Sequence, residues 1–314
     1  MPAILTHDLF GQDAYELLRG TLGCATQAER DAFLLGNQGP DPLFYLVASP
    51  LVPEKDRVGN LMHDESPAKL VASLGYALDA LDERGRSVGR AYAVGFLCHY
   101  LLDRSVHPLV YAQVYALCDA GVEGLDRSDG DFVHAEIERD LDEMVLFTKT
   151  GETVATYRPY RRVLRADGFV LETIDRLYRK TILQAYDRTL DPGTFVSAVK
   201  AFRLVQHLFY SPTQQMARVL APVERAISRK PYSLYRAMSH RARAQESSDF
   251  ENREHLPWKN PFTGSVSSES FWDIYHSTLA EVEAAQEAFF ADGFDLEAAK
   301  RLTGDLNFSG KPAA

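Results

Sequence analysis

The sequence predicts an all-α fold, on three observations. Long stretches rich in Ala, Leu, Glu and Arg recur between breaks marked by Gly and Pro, and Val and Ile do not gather into alternating runs. The run from Ala91 to Leu102, AYAVGFLCHYLL, is apolar on every side except at His99, which fits a central helix enclosed by others.

A first helix is expected at about 8–20 and a second at about 26–35. The second stops at Gly36-Asn37-Gln38-Gly39-Pro40-Asp41-Pro42, where two glycines and two prolines in seven positions fix a loop. Ser66-Pro67 opens the next helix, with serine able to cap and proline in the first turn, and it runs to about Glu83. The central helix covers about 87–106, and Pro108 predicts a boundary near His107. Further helices are expected at about 129–148, 167–190, 193–225, 230–243, 267–290 and 293–302. Residues 244–266 are polar and broken yet carry Trp258 and Phe262, the pattern of a segment folding back over the helical body as a lid or clamp. Residues 305–314 read as a flexible tail. With no repeat and no convincing internal boundary, residues 1–304 read as one domain.

A chain of 314 residues buries roughly 75% of its unfolded surface, so a core needs neither disulfides nor metal. Its net charge of -10 argues against duplex nucleic acid as a partner, because that binding relies on Lys and Arg neutralising phosphates. Cys24, Cys98 and Cys118 form no CxxC pair and are odd in number, as expected of free thiols in a reducing compartment. The first eight residues lack a basic or long apolar region, and no uninterrupted apolar stretch is long enough to span a bilayer. A cytoplasmic chain without a transmembrane segment is therefore expected.

Five of the nine histidines fall before residue 135: His7, His63, His99, His107 and His134. His99 and Asp103 are four apart, so a helix presents both on one face, one turn apart. An ionised carboxylate in so apolar a stretch needs a compensating cation, which a metal, Arg104 or His107 would supply. His134 and Glu138 repeat the offset in another helix. Two helices each presenting an imidazole and a carboxylate are a sensible source of N and O ligands for zinc, and no all-thiolate alternative exists. Each pair alone also fits a satisfied core histidine and a buried ion pair. Taken singly, His7 also reads as surface or capping decoration, and Asp41 as a turn former before proline. His63 fits helix entry as well as ligation, while Asp64 and Glu65 suit the favourable charge of a helix start.

In this order the elements resemble the zinc-dependent phospholipase C family, related more distantly to the S1/P1 nucleases. They are Thr6-His7, Gly39-Pro40-Asp41, Met62-His63-Asp64, the stretch from Gly95 to Pro108, and His134 with Glu138. The specific part is H-x-x-x-D-x-x-x-H at His99, Asp103 and His107, followed by H-x-x-x-E at His134 and Glu138. Known members are α-helical phosphodiesterases with a three-zinc cluster. The resemblance implies one zinc on His63, His99 and Asp103, a second on His107, His134 and Glu138, and a third on His7 with Asp103, Asp103 bridging. It implies that Asp41 lies near the attacking water as base or positioner. Secreted relatives bind the third zinc through an N-terminal Trp; here the amine of Pro2, after loss of Met1, would have to replace it. The stretch from Trp258 to Gly264 also resembles a segment of single-domain cytoplasmic bacterial members, and no lipid-binding β-sandwich fits after residue 290.

The expected function is zinc-dependent hydrolysis of a phosphate ester, phospholipid-like in particular, by metal-activated water with Asp41 as the catalytic base or positioner. Two alternatives stay open: a nuclease or phosphomonoesterase of the S1/P1 type, and a non-catalytic helical protein that zinc only stabilises. The oligomeric state is not legible.

Overall fold

A computed structural model describes residues 3–48, 58–228 and 232–313. The fold is all-α: fourteen helices are present among the described residues, with two short antiparallel strands. In chain order the helices are α1 (Ile4–Leu22), α2 (Gln27–Gly36), α3 (Val58–Asp64), α4 (Pro67–Leu78), α5 (Glu83–Cys118), α6 (Gly130–Thr150) and α7 (Val154–Tyr157). Then come α8 (Pro159–Arg162), α9 (Gly168–Tyr186), α10 (Thr194–Phe209), α11 (Gln215–Ser228), α12 (Leu234–Met238), α13 (Phe271–Phe289) and α14 (Leu296–Thr303). Strands β1 (Trp258–Lys259) and β2 (Val266–Ser267) pair between α12 and α13. No helix among the described residues is long and apolar enough to cross a membrane.

Helix α5 is the central element, as its all-round apolar run requires. Tyr92, Phe96 and Tyr100 are fully buried along it, and α1, α2, α4, α6, α9 and α13 pack around it. The expected stop at Pro108 is not observed: α5 continues through the proline to Cys118. Proline removes one intrahelical bond, leaving the Arg104 carbonyl without its usual donor. The C-terminal residues close over that break. Gly310 lies so near that a side chain on it would stand 2.4 Å from the Arg104 carbonyl oxygen, and its φ of 72° also favours glycine.

Residues 305–313 therefore do not form the flexible tail that their polar composition predicts. Leu306 and Pro312 make an isolated bridge, the Leu306 carbonyl accepts from the Tyr100 hydroxyl at 2.6 Å, and Phe308 is buried. The expected helix over 193–225 is divided instead at Tyr210–Gln214, where Pro212 cannot continue α10. Of the helix expected over 230–243, α12 is the described remnant; residues 230 and 231 lie outside the described part.

Residues 244–266 do fold back on the helical body. Gln113 donates to the Phe250 carbonyl at 2.9 Å, and the Phe262 ring packs edge-on against Tyr111 of α5. Asp140 of α6 anchors the start of this segment, accepting from the Ser248 hydroxyl at 2.6 Å and pairing with Arg241 and Arg243. Burial pushes the Asp140 carboxyl up, but Ser248, Arg243 and Arg241 outweigh it and hold the group below its ordinary value. A carboxylate with a lowered folded-state pKa stabilises above its unfolded pKa, and this stabilisation is lost as pH falls through the folded value. The protection of residues 239–250 against hydrogen exchange is accordingly expected to fall below about pH 4, and Asp140→Asn to remove that acid-sensitive step.

Candidate metal centre

The centre forms where α5, α6, the N-terminus of α1 and the Gly-Pro loop meet. Helix α1 has no side-chain cap of its own at Ala3. Asp142 of α6 serves instead, accepting from the Leu5 and Thr6 backbone N–H groups at 3.0 and 2.7 Å and from the Thr6 hydroxyl at 2.6 Å. His240 Nε2 lies 2.9 Å from Asp142 Oδ2, the oxygen that also accepts from Leu5. Docked this way, α1 delivers His7 to α5, with His7 Nε2 3.0 Å from Asp103 Oδ1.

Asp103 is the hub. Its Oδ2 lies 3.3 Å from His99 Nε2, and its Oδ1 also lies 3.9 Å from His107 Nε2. His107 and His134 both approach Glu138, at 3.3 and 2.9 Å. On the other flank Asp41, which opens a 3-10 turn at the end of the Gly-Pro loop, lies 3.2 Å from His63 Nε2 and 3.9 Å from His99 Nε2. Three groups thus have ligand atoms close enough to share an ion: His7, His99 and Asp103; Asp41, His63 and His99; and His107, His134 and Glu138. The last two groups are thinly shielded at His63, His107 and His134, while His99 is fully enclosed.

This grouping differs in one respect from that implied by the resemblance, which joined His63 to His99 and Asp103. In the structure His63 stands beside Asp41, and His99 belongs to two groups. The amine of Pro2 lies outside the described residues. The histidines beyond residue 135 stay out of the cluster, His240 acting behind it through Asp142.

Three imidazoles are oriented by backbone carbonyls. Nδ1 of His63 meets the Gly59 carbonyl at 2.7 Å, that of His99 the Asn37 carbonyl at 3.2 Å, and that of His107 the Phe308 carbonyl at 2.7 Å. A carbonyl can only accept, so Nδ1 carries the hydrogen in each neutral ring and the Nε2 lone pair faces the cluster. Those lone pairs then confront carboxylate oxygens, an arrangement that needs a proton or a cation between them. His99 Nε2 and His7 Nδ1 are buried without a hydrogen-bond partner. Gly39 keeps the loop against His99: a Cβ there would lie 2.2 Å from the ring, and its φ of 50° favours glycine.

Electrostatics agree with a cation site. Burial raises the Asp103 carboxyl, but His107, His99 and His7 together hold it well below its ordinary range. Glu138 is likewise well below despite burial, held by His134 and His107, and Asp41 is lowered by His63 and His99 against burial. Burial pushes His107 down, yet Asp103 and Glu138 outweigh it and raise the imidazole to about 9. Arg104, the alternative counter-ion for Asp103, turns away to Glu281 at 2.9 Å and to the Leu302 and Thr303 carbonyls. No lysine or arginine among the described residues pairs with Asp41 or Asp103. The donor set, imidazole nitrogen plus carboxylate oxygen, suits zinc.

Two contributors were not legible in the sequence. Phe308 roofs the centre, its ring 4.7 Å from that of His63 and 5.8 Å from that of His99. Asp142 fixes α1, and its replacement by Ala leaves buried N–H donors unsatisfied at a cost on the order of 3 kcal/mol. Asp142→Ala is expected to lower the free energy of unfolding by that amount and to weaken metal binding through displaced His7; urea titration and metal analysis check both.

An all-α body with clustered histidines and carboxylates at the junction of its helices defines a protein equipped to bind divalent metal. A family model described as zinc dependent phospholipase C matches residues 6–188, well over half of the chain. The chain belongs to the zinc-dependent phospholipase C family. No curated protein and no solved structure matches it.

Proposed function

We propose that this protein hydrolyses a phosphate ester, in particular a phospholipid-like one, using two or three zinc ions held by His7, His63, His99, Asp103, His107, His134 and Glu138. The observation that carries this reading is the convergence of imidazole Nε2 atoms on the buried carboxylates of Asp103 and Glu138. Zinc held there would supply Lewis acidity toward a water and toward the phosphoryl oxygens.

Asp41 is the group that receives the water's proton and orients its lone pair toward phosphorus. It faces two imidazoles of the cluster and opens the 3-10 turn after the Gly-Pro loop rather than lying on α5. The carbonyls of Gly59, Asn37 and Phe308 hold the rings in place, so the donors need no rearrangement as the ester enters. Phe308 and Phe44 pack against the His63 ring at 4.7 and 4.6 Å.

An apolar substituent on the substrate is favoured by Tyr45. Buried close to Asp41 and Glu138, it feels both charges, and its ring stacks on Phe202 at 3.9 Å. Tyr45 and Phe202 belong to a cleft completed by Ile4, Tyr160, Phe209 and Tyr210. Such a wall suits the acyl-bearing part of a lipid.

The test is a hydrolysis panel on the zinc-loaded protein spanning phosphatidylcholines, soluble phosphodiesters, phosphomonoesters and single-stranded nucleic acid. Phosphorus release from the lipid, abolished by chelation and restored by zinc, is expected. Cleavage of nucleic acid without lipid cleavage selects a nuclease, and no turnover on any ester leaves zinc a structural role.

A further inference from the structure

Helix α6 shows its imidazole and carboxylate to the metal centre on one side only. At about 100° per residue, Phe132, Glu136 and Arg139 fall on the side opposite His134 and Glu138. There they wall a second cavity of about 730 Å3, open to solvent, whose far side is built from α11 and α12. None of its lining residues belongs to the three imidazole–carboxylate groups.

The cavity is cationic in a chain of net charge -10: Arg139, Arg218, Arg225, Arg236 and Arg241 line it against the single carboxylate of Glu136. Arg241 is occupied by Asp140 and Glu143, and Arg139 by Glu136. Arg218, Arg225 and Arg236 form no ion pair with a carboxylate among the described residues. Arg139 is 4% exposed, yet its Nε has no hydrogen-bond partner, the Glu143 oxygen standing 3.9 Å away. A buried cation donor left unbonded costs free energy that an anion in the cavity would recover.

We propose that the cavity between α6 and α11 binds a phosphoryl-bearing anion, held by Arg218, Arg225 and Arg236 with Arg139 beneath, at a site separate from the metal centre. Three uncompensated guanidinium groups call for a ligand with more than one negative charge and several oxygens, and the planar guanidinium fork matches phosphate oxygens in pairs. A lone carboxylate satisfies only one of them. The phosphoryl group has two sources, a soluble phosphate or the head group of an anionic lipid. The site does not depend on the hydrolytic reading.

Two assays on the zinc-loaded full chain test it: calorimetric titration with inorganic phosphate, and cosedimentation with phosphatidic acid vesicles against phosphatidylcholine vesicles. Arg218→Gln/Arg225→Gln is expected to weaken binding by at least about tenfold, each arginine losing a charge-assisted bond. His134→Ala, at the metal centre, is expected to retain it. Arginine-dependent phosphate binding identifies a soluble ligand, and arginine-dependent binding to phosphatidic acid alone identifies a lipid head group. No binding in either assay, or binding unchanged by the double substitution, overturns the proposal. Both arginines are exposed, and Arg236→Gln provides the same reading should the double variant fail to fold.

Discussion

Asp103→Ala is expected to strip more than one zinc from the protein and to lower ester hydrolysis by roughly 10²–10³-fold or more, the scale of a lost preorganised charge stabiliser. The reason is geometric. One carboxylate reaches His7 and His99 at 3.0 and 3.3 Å and approaches His107 at 3.9 Å, so its removal unsettles neighbouring positions together. Elemental analysis of purified wild-type and variant protein measures the loss. A variant that keeps its full metal content removes Asp103 from the bridging role. The substitution also deletes a buried anion held against three imidazoles, so circular dichroism is needed to show that the helices persist.

Asp41→Asn is expected to leave turnover about 10²–10⁴-fold lower, the range in which a positioned acid–base contributes, with zinc retained. Asn keeps the shape and one acceptor oxygen but cannot take up a proton. Asp41 also lies within ligand range of His63 and His99, so the two roles must be separated. Retained zinc with lost turnover assigns Asp41 to the chemistry; lost zinc makes it a ligand first; unchanged turnover removes it from both.

The part of the site carried by single helices was legible because the helical period alone decides it. His99, Asp103 and His107 share a face of α5, and His134 and Glu138 share a face of α6, whatever surrounds them. The all-α fold was legible for the same reason, from apolar runs that fit only enclosed helices. Long-range relations were not. Asp142 looks like any charged residue of an amphipathic helix until α1 is laid across it, 136 residues away in sequence from Thr6. Phe308 sits in a Gly- and Lys-containing terminus whose composition resembles a tail, and only its carbonyl on His107 and its ring against His63 and His99 make it a roof.

Pro108 shows how a sound local rule is overridden. The missing N–H weakens α5 at one bond, but His107 on one side and the C-terminal residues on the other are packed well enough that the helix continues to Cys118. The partition of ligands was also beyond the sequence. Spacing placed His63 near a helix start, and only the Gly-Pro loop's path over His99 sets it beside Asp41.

Anomalous diffraction at the zinc edge from crystals of the zinc-loaded protein tests the metal centre most directly. At least two peaks are expected among His7, His63, His99, Asp103, His107, His134 and Glu138, with one coordination position near Asp41 left to solvent. Peaks outside this cluster, or ions whose every position is filled by protein, contradict a hydrolytic centre.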